Sequence, residues 1–322
     1  MRIVIPGGSG HVGHILTRHF HAAGHEVTVL SRNPRPQPWR VIAWDARTDG
    51  RGAAAWVEAL DGADVCINLT GRSVNCRYTE RNRAEIYNSR IESTRLLGEA
   101  IASLAHPPRV WLNASTATIY RHALDREMDE ASGELGGDEP GAPASWNFSI
   151  RVAKDWETTF FAAQTPHTRK VAMRSAITMS PDAGSPFALL LRLAQLGLGG
   201  KNGSGRQFVS WVHDADFVRA VEWLIAHDEA EGVVDIASPH PLPNREFMRA
   251  LRRACGQPVG LPAPAWAIEA AAIFLRTESE LVLKSRRVVP GRLTEAGFTF
   301  QFPLWPEAAR DLVDRWRTSR AR

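Results

Sequence analysis

The segment Met1 to Gly13, MRIVIPGGSGHVG, constrains the fold more than any other part of the chain. An apolar run, Ile3, Val4 and Ile5, breaks directly into Gly7, Gly10 and Gly13, with Val12, Ile15, Leu16 and Phe20 following at helical spacing. A strand that leaves through glycines and re-enters as a helix is a βα unit whose turn is too tight for side chains. The glycines meet three steric demands: the turn at the strand exit, close approach of the backbone to a ligand, and contact of the new helix with the sheet. The first amides of that helix lack partners within it, and its dipole presents a positive end, so the turn suits a dinucleotide pyrophosphate. The residues expected to cradle it are Gly7, Gly8, Ser9, Gly10, His11, Val12 and Gly13.

Strand-like and helix-like segments keep alternating: Glu26 to Leu30, Val41 to Trp44, a helix through Trp56 to Leu60, Asp64 to Leu69, a long helix from about Thr79 to Ser103, Arg109 to Leu112, a helix from about Ser149 to Ala163, and Lys170 to Arg174. This order predicts an α/β fold, a Rossmann-type doubly wound parallel sheet. After Val233 to Ala237 the pattern turns helical and proline-punctuated, which predicts a smaller, mainly helical C-terminal substrate domain. The expected division is 1–175 plus 206–236 for the nucleotide domain and 176–205 plus 237–322 for the substrate domain. Asp125 to Ala144 is acidic and rich in Gly and Pro, an exposed loop or a lid. The glycine-dense Gly197 to Gly205 is a second loop, placed to close on a substrate.

Composition narrows the classes of partner. In 322 residues the net charge is +4, with acidic and basic residues interspersed and no Lys/Arg run, so neither a nucleic-acid stripe nor a membrane-binding face is expected. Met1 to Ile5 runs straight into the glycine turn without a charged leader, and the longest apolar stretch, Ala263 to Leu275, carries Glu269 and reads as a buried helix. Cys66, Cys76 and Cys255 are an odd number at no metal-ligand spacing, which points to no metal and a reduced, cytoplasmic compartment. The expected partner is a small-molecule substrate, and the sequence does not define an oligomeric state.

The second strand ends in Ser31-Arg32. An acidic residue at that position would bind the 2′-hydroxyl of NAD, whereas a hydroxyl followed by arginine suits the 2′-phosphate of NADP(H), the alternative being a solvated Arg32. Asn68, Leu69, Thr70 and Gly71 end a buried strand over the same sheet edge, where backbone would line the cofactor. With STATIY at 115–120 and Trp211-Val-His-x-x-Asp216, these segments resemble the extended short-chain dehydrogenase/reductase superfamily. RYTERNRAEIYNSRIESTRLL at 77–97, GLGGKNGSGRQFVSWVH at 197–213 and SRRVVPGRLTEAGFTFQFP at 285–303 narrow the resemblance to its "epimerase family" branch, whose members end in a DUF1731 domain, here at about 245–310. The resemblance implies NADP(H) binding, with contacts from the glycine turn, Ser31, Arg32, Leu69, Thr70, Glu85 and Arg90. Glu85 and Arg90 also read as helix-surface residues.

Within that superfamily a tyrosine four residues before a lysine serves as general acid/base, the ammonium lowering the phenol's pKa. The chain has lysines only at 154, 170, 201 and 284, none preceded at that spacing by tyrosine. Lys154 lies in about the right helix to bind the ribose. The expected catalytic residues are Thr116, matching the hydroxyl that polarises the carbonyl, Tyr120, and Glu157; the alternative for Tyr120 is a core residue at a strand end, and for Glu157 half of a structural ion pair. His213 is expected to pack at the domain junction and Asp216 to cap the helix beginning at Phe217. The leading function is an NADP(H)-dependent oxidoreductase; the alternatives are an NAD(P)-dependent sugar-nucleotide epimerase or dehydratase, and a non-catalytic NADPH-binding sensor or interaction protein.

Overall fold

A computed structural model describes residues 1–46, 53–137, 139, 142–274 and 277–320. Asp138, Pro140 and Gly141 of the acidic loop, and Leu275 of the apolar stretch, lie outside the described residues. The first half builds β1 (Arg2–Pro6), α1 (His11–Ala22), β2 (Glu26–Ser31), β3 (Arg40–Ala43), α2 (Ala53–Leu60), β4 (Val65–Asn68), α3 (Glu80–Ser103), β5 (Val110–Thr116), α4 (Asn147–Ala162) and β6 (Arg169–Ser175). Then come β7 (Ile177–Met179), α5 (Pro186–Gln195), β8 (Phe208–Val209), β9 (Trp211–His213), α6 (Asp214–Ala226), β10 (Gly232–Ile236) and β11 (Leu242–Pro243). The chain ends in α7 (Asn244–Cys255), α8 (Ala265–Phe274), α9 (Glu280–Leu283), α10 (Gly291–Glu295) and α11 (Trp305–Arg320).

Seven strands form one parallel sheet in the order β10-β6-β5-β4-β1-β2-β3, the expected doubly wound arrangement. Because side chains alternate along a strand, each central strand supplies both faces. Val65 and Ile67 of β4, with Val110 and Leu112 of β5, meet α1 and α6 through Ile15, Phe20, Phe217 and Val221. Cys66 and Trp111 point the other way, against Trp56, Leu97, Ile101 and Phe160 of α2, α3 and α4. The reversal of strand order falls between β1 and β4, the crevice where α/β sheets bind ligands.

A second core joins α5, α7 and α11 to β7 and β9. Trp305 stacks on Phe247 with centroids 4.0 Å apart and meets Trp211 edge-on at 4.9 Å. The junction with the sheet is polar and buried. Asp216, 1% exposed, accepts from the amides of Gln301 at 2.7 Å and Phe302 at 2.8 Å, while Asp214 takes a bidentate bond from Arg315. His213 stacks on Phe302 at 3.9 Å, so it does sit at the junction. It also caps α6, accepting from the Ala215 amide at 3.1 Å, and the helix therefore starts at Asp214 rather than Phe217. Asp216 lies inside that first turn and ties down the C-terminal segment instead of capping.

Three sequence expectations are corrected here. The apolar helix α8 is not buried: Trp266 is 73% and Ile273 61% exposed, with Ala272 among its enclosed residues. The acidic loop is not a free lid, because Met128 is buried and paired with the Val288 strand segment, and Glu130 accepts from the amides of Asp235 and Arg292. The glycine-dense loop is a structural seam within the C-terminal unit. A Cβ on Gly200 would fall 2.3 Å from the Leu261 carbonyl oxygen, and the loop bonds to Ala263 and Asn244.

Asp216→Ala removes, at a buried position, the acceptor of the Gln301 and Phe302 amides and the carboxylate paired with Arg219. It should cost about 2–4 kcal/mol, read as a lower urea midpoint with unchanged slope.

Candidate functional site

The glycine turn is shaped by close backbone contact. Gly7 has φ of +77°, and a Cβ there would lie 2.7 Å from the Leu69 carbonyl carbon; on Gly13 it would lie 2.5 Å from the Gly8 Cα. The β1 exit is thus pressed against the β4 exit, with the Leu69 amide donating to the Pro6 carbonyl at 2.8 Å. Gly10 differs. It precedes α1 in extended conformation, and a Cβ there would approach protein only at the Gly7 carbonyl oxygen, 3.4 Å away. The space above Gly10 is therefore an open cradle, bordered by the first amides of α1, those of His11, Val12 and Gly13. The His11 ring turns away from it to bond Ser180 Oγ at 2.9 Å.

Ser31 is buried at the end of β2, its hydroxyl 3.0 Å from Ser9 Oγ and accepting from the Asn33 amide. It braces the turn, leaving Arg32 exposed at the rim, followed by the equally exposed Arg35, which sequence reasoning passed over. Asn68 is spent internally. Its amide nitrogen donates to Asn113 at 2.7 Å, and its oxygen accepts from the Thr70 amide, so it offers a ligand only backbone. Thr70 Oγ1 is buried with no hydrogen-bond partner in the protein. An open cradle over helix amides, an unpartnered hydroxyl beside it and a guanidinium at the β2 rim fit a dinucleotide phosphate chain.

Thr116 ends β5 half-buried, its hydroxyl accepting from the Thr118 amide at 3.2 Å with its own proton still available. Tyr120 and Glu157 take a different place from the expected one. The Glu157 carboxylate receives Arg174 through both nitrogens, at 2.8 and 2.7 Å, and the Ser115 hydroxyl at 2.5 Å. The third guanidinium nitrogen donates to Tyr120 Oη at 2.9 Å, and that phenol donates to Asp235 at 2.8 Å. Tyr120 is 2% and Glu157 8% exposed. Burial pushes the Tyr120 phenol above its usual value. Burial and nearby Glu130 push the Asp235 carboxyl up as well. The chain Ser115–Glu157–Arg174–Tyr120–Asp235 is a clamp across β5, β6, β10 and α4.

Lys154 also lies away from the cradle. Its ammonium stands beside Gly137 and lines an open cavity of about 450 Å³ with Arg121, His122, Glu134 and Glu139. Glu85 pairs with Arg72 and with Arg81 on the face of α3. Arg90 comes closest to its expected role. Its guanidinium faces Gly71, where a Cβ would lie 3.1 Å away; it donates to the Arg72 and Ile86 carbonyls and lies over the Trp156 ring. Sequence reasoning missed a polar cluster in which half-buried Tyr78 and Ser149 meet buried Glu280, Lys284 and Arg286, because its members are up to 208 positions apart and share no local pattern.

A family model described as the NAD dependent epimerase/dehydratase family matches residues 3–237, and one described as a domain of unknown function, DUF1731, matches residues 263–312. The epimerase family protein SDR39U1 of Bos taurus is 32% identical over 319 residues, 97% of this chain and all of that protein. The crystal structure of human SDR39U1 with NADPH superposes with a TM-score of 0.83 at 30% identity, covering 98% of this chain and 99% of that one. A nucleoside-diphosphate sugar epimerase from Corynebacterium glutamicum superposes with a TM-score of 0.72 at 25% identity, over 99% of this chain and 61% of that one.

Glu157→Gln removes the charge that balances Arg174 inside the clamp. A loss of about 3–5 kcal/mol in chemical denaturation is expected, with nucleotide affinity of the folded fraction within twofold of wild type.

Proposed function

The chain belongs to the NAD dependent epimerase/dehydratase family, and from that premise we propose that it is an NADP(H)-dependent oxidoreductase acting on a small carbonyl or alcohol substrate. The carrying observation is the cradle: Gly10 opens onto helix amides while Arg32 stands exposed just past the end of β2. The NADPH in the crystal structure of the human relative supports the choice of cofactor. When bound, the nicotinamide would supply or accept a hydride at the substrate carbon. The amides of His11, Val12 and Gly13 would hold the pyrophosphate, Arg32 the 2′-phosphate, and the turn Leu69 to Gly71 would lie along the sugar. Thr116 would donate to the substrate oxygen. Residues 176–205 and 237–322 would form the substrate side.

A second reading, a non-catalytic NADPH-binding protein, draws on the enclosure of Tyr120 and Glu157 in the clamp. Net NADPH consumption with any member of a carbonyl panel would exclude it.

Titration by tryptophan quenching tests the cofactor assignment. NADPH is expected to bind more tightly than NADH, and Arg32→Ala to weaken NADPH by about tenfold, the scale of one charge-assisted contact, while leaving NADH unchanged. Gly10→Ala should leave the thermal midpoint nearly unchanged yet lower affinity for both nucleotides, since its methyl enters the cradle and meets little protein. Equal affinities for NADPH in wild type and both variants would overturn the assignment.

A further inference from the structure

The polar cluster passed over by the sequence reading joins the start of α4 to the segment that follows β5. Tyr78 lies seven residues past Gly71, on the segment that leaves the β4 turn and enters α3. Its ring packs edge-on against Phe148 with centroids 5.1 Å apart, and its hydroxyl lies 3.3 Å from Ser149 Oγ in the first turn of α4. Ser149 in turn donates to Glu280 Oε2 at 2.8 Å. Glu280 is 3% exposed, and its other oxygen has no hydrogen-bond partner, with Lys284 Nζ and an Arg286 nitrogen 3.9 and 4.0 Å away. Lys284 donates to the Thr118 carbonyl at 2.9 Å and Arg286 to the Thr118 hydroxyl at 3.1 Å. The Thr118 amide in turn donates to Thr116 Oγ1, so the cluster is tied to the exit of β5, where Thr116 stands.

We propose that Tyr78 is the acid/base phenol of this protein, exchanging its proton with the substrate oxygen and relaying it through Ser149 to Glu280. The inference rests on the oxidoreductase reading. In carbonyl reduction a C–H and an O–H bond form as the C=O π bond breaks. The O–H proton leaves Tyr78 Oη; the Ser149 hydroxyl, which donates to Glu280 in the structure, rotates to refill it and is itself refilled by protonated Glu280, which regains a proton from water between turnovers. In alcohol oxidation the chain runs as the structure shows it, Tyr78 passing its proton to Ser149 as Ser149 passes its own to Glu280.

The charges facing the relay suit both states. Burial raises the Tyr78 phenol above its ordinary range, and Glu280 and Glu278, which accepts from the Tyr78 amide at 2.6 Å and pairs with Arg77, add to this; the hydrogen bond with Ser149 and the Arg90 guanidinium act the other way. Burial also holds the Glu280 carboxyl above the usual range, so it can store the proton, while Lys284, pulled down to about 8 chiefly by burial, and Arg286 offset the carboxylate. Tyr120, by contrast, donates to Asp235 inside the clamp.

The chain has three tyrosines, so protein labelled with [13Cζ]tyrosine gives three resonances, and Tyr78→Phe, which keeps the packing on Phe148, assigns one of them. A phenol beside the nicotinamide senses its charge. The Tyr78 signal is expected to differ between NADPH and NADP+ complexes, and its titration midpoint to fall by about one pH unit with NADP+. A second inflection, from Glu280, should vanish in Glu280→Gln. The Tyr120 signal should stay fixed throughout. A Tyr78 signal identical in both complexes, or an inflection that survives Glu280→Gln, overturns the relay. Failure of either nucleotide to quench tryptophan fluorescence is the separate result that overturns the cofactor reading beneath it.

Discussion

The contact on which the rest of the structure depends is backbone against backbone at the carboxyl edge of the sheet. Gly7 admits the Leu69–Thr70 peptide, Gly8 admits Val29 and Gly13 admits Gly8, each at a distance no Cβ tolerates. Side chains at these positions would force β1 away from β4 or lift α1 from the sheet. With the strands drawn together, α1 begins directly over the crevice and directs its unpaired amides into it. The same packing leaves Gly10 facing open space, so steric closure on one side and openness on the other come from a single turn.

Around that edge the protein divides its buried charge into two networks. The Arg174 clamp crosses three strands and a helix, and every charge in it has a partner, except for one Asp235 oxygen whose carboxyl is pushed toward the neutral form. A network so enclosed holds geometry, because a proton leaving it would strand a charge without solvent. The Glu280 cluster is assembled differently, with gaps of about 4 Å between its carboxylate and its cations and a hydroxyl chain through Ser149 to Tyr78. Looser pairing and a chain of hydroxyls are what proton movement requires.

Much of the fold was legible because it is local. The apolar alternation of β1, β4 and β5, the glycine turn, and Thr79 ahead of α3 each carry their cause within a few residues. The start of α6 was misjudged by three residues, since its cap is a histidine whose ring nitrogen was read only as a junction contact. The exposure of α8 was misjudged because hydrophobicity reports what a helix is made of, whereas burial depends on what lies opposite. Met128 and Glu130 anchor a loop that looked free, through partners more than a hundred residues away.

The sequence by itself determined the doubly wound sheet, the glycine turn between β1 and α1, and the lack of a Tyr-x-x-x-Lys pair. Only the tertiary structure decided which hydroxyls and carboxylates meet. Tyr120 and Glu157 proved to be joined through Arg174, and Tyr78 and Glu280 through Ser149, although 202 positions separate the last pair. Periodicity and motif spacing record contacts within a turn or two of chain. Proton chemistry depends on distances of about 3 Å across elements, set by how helices and strands pack rather than by their order.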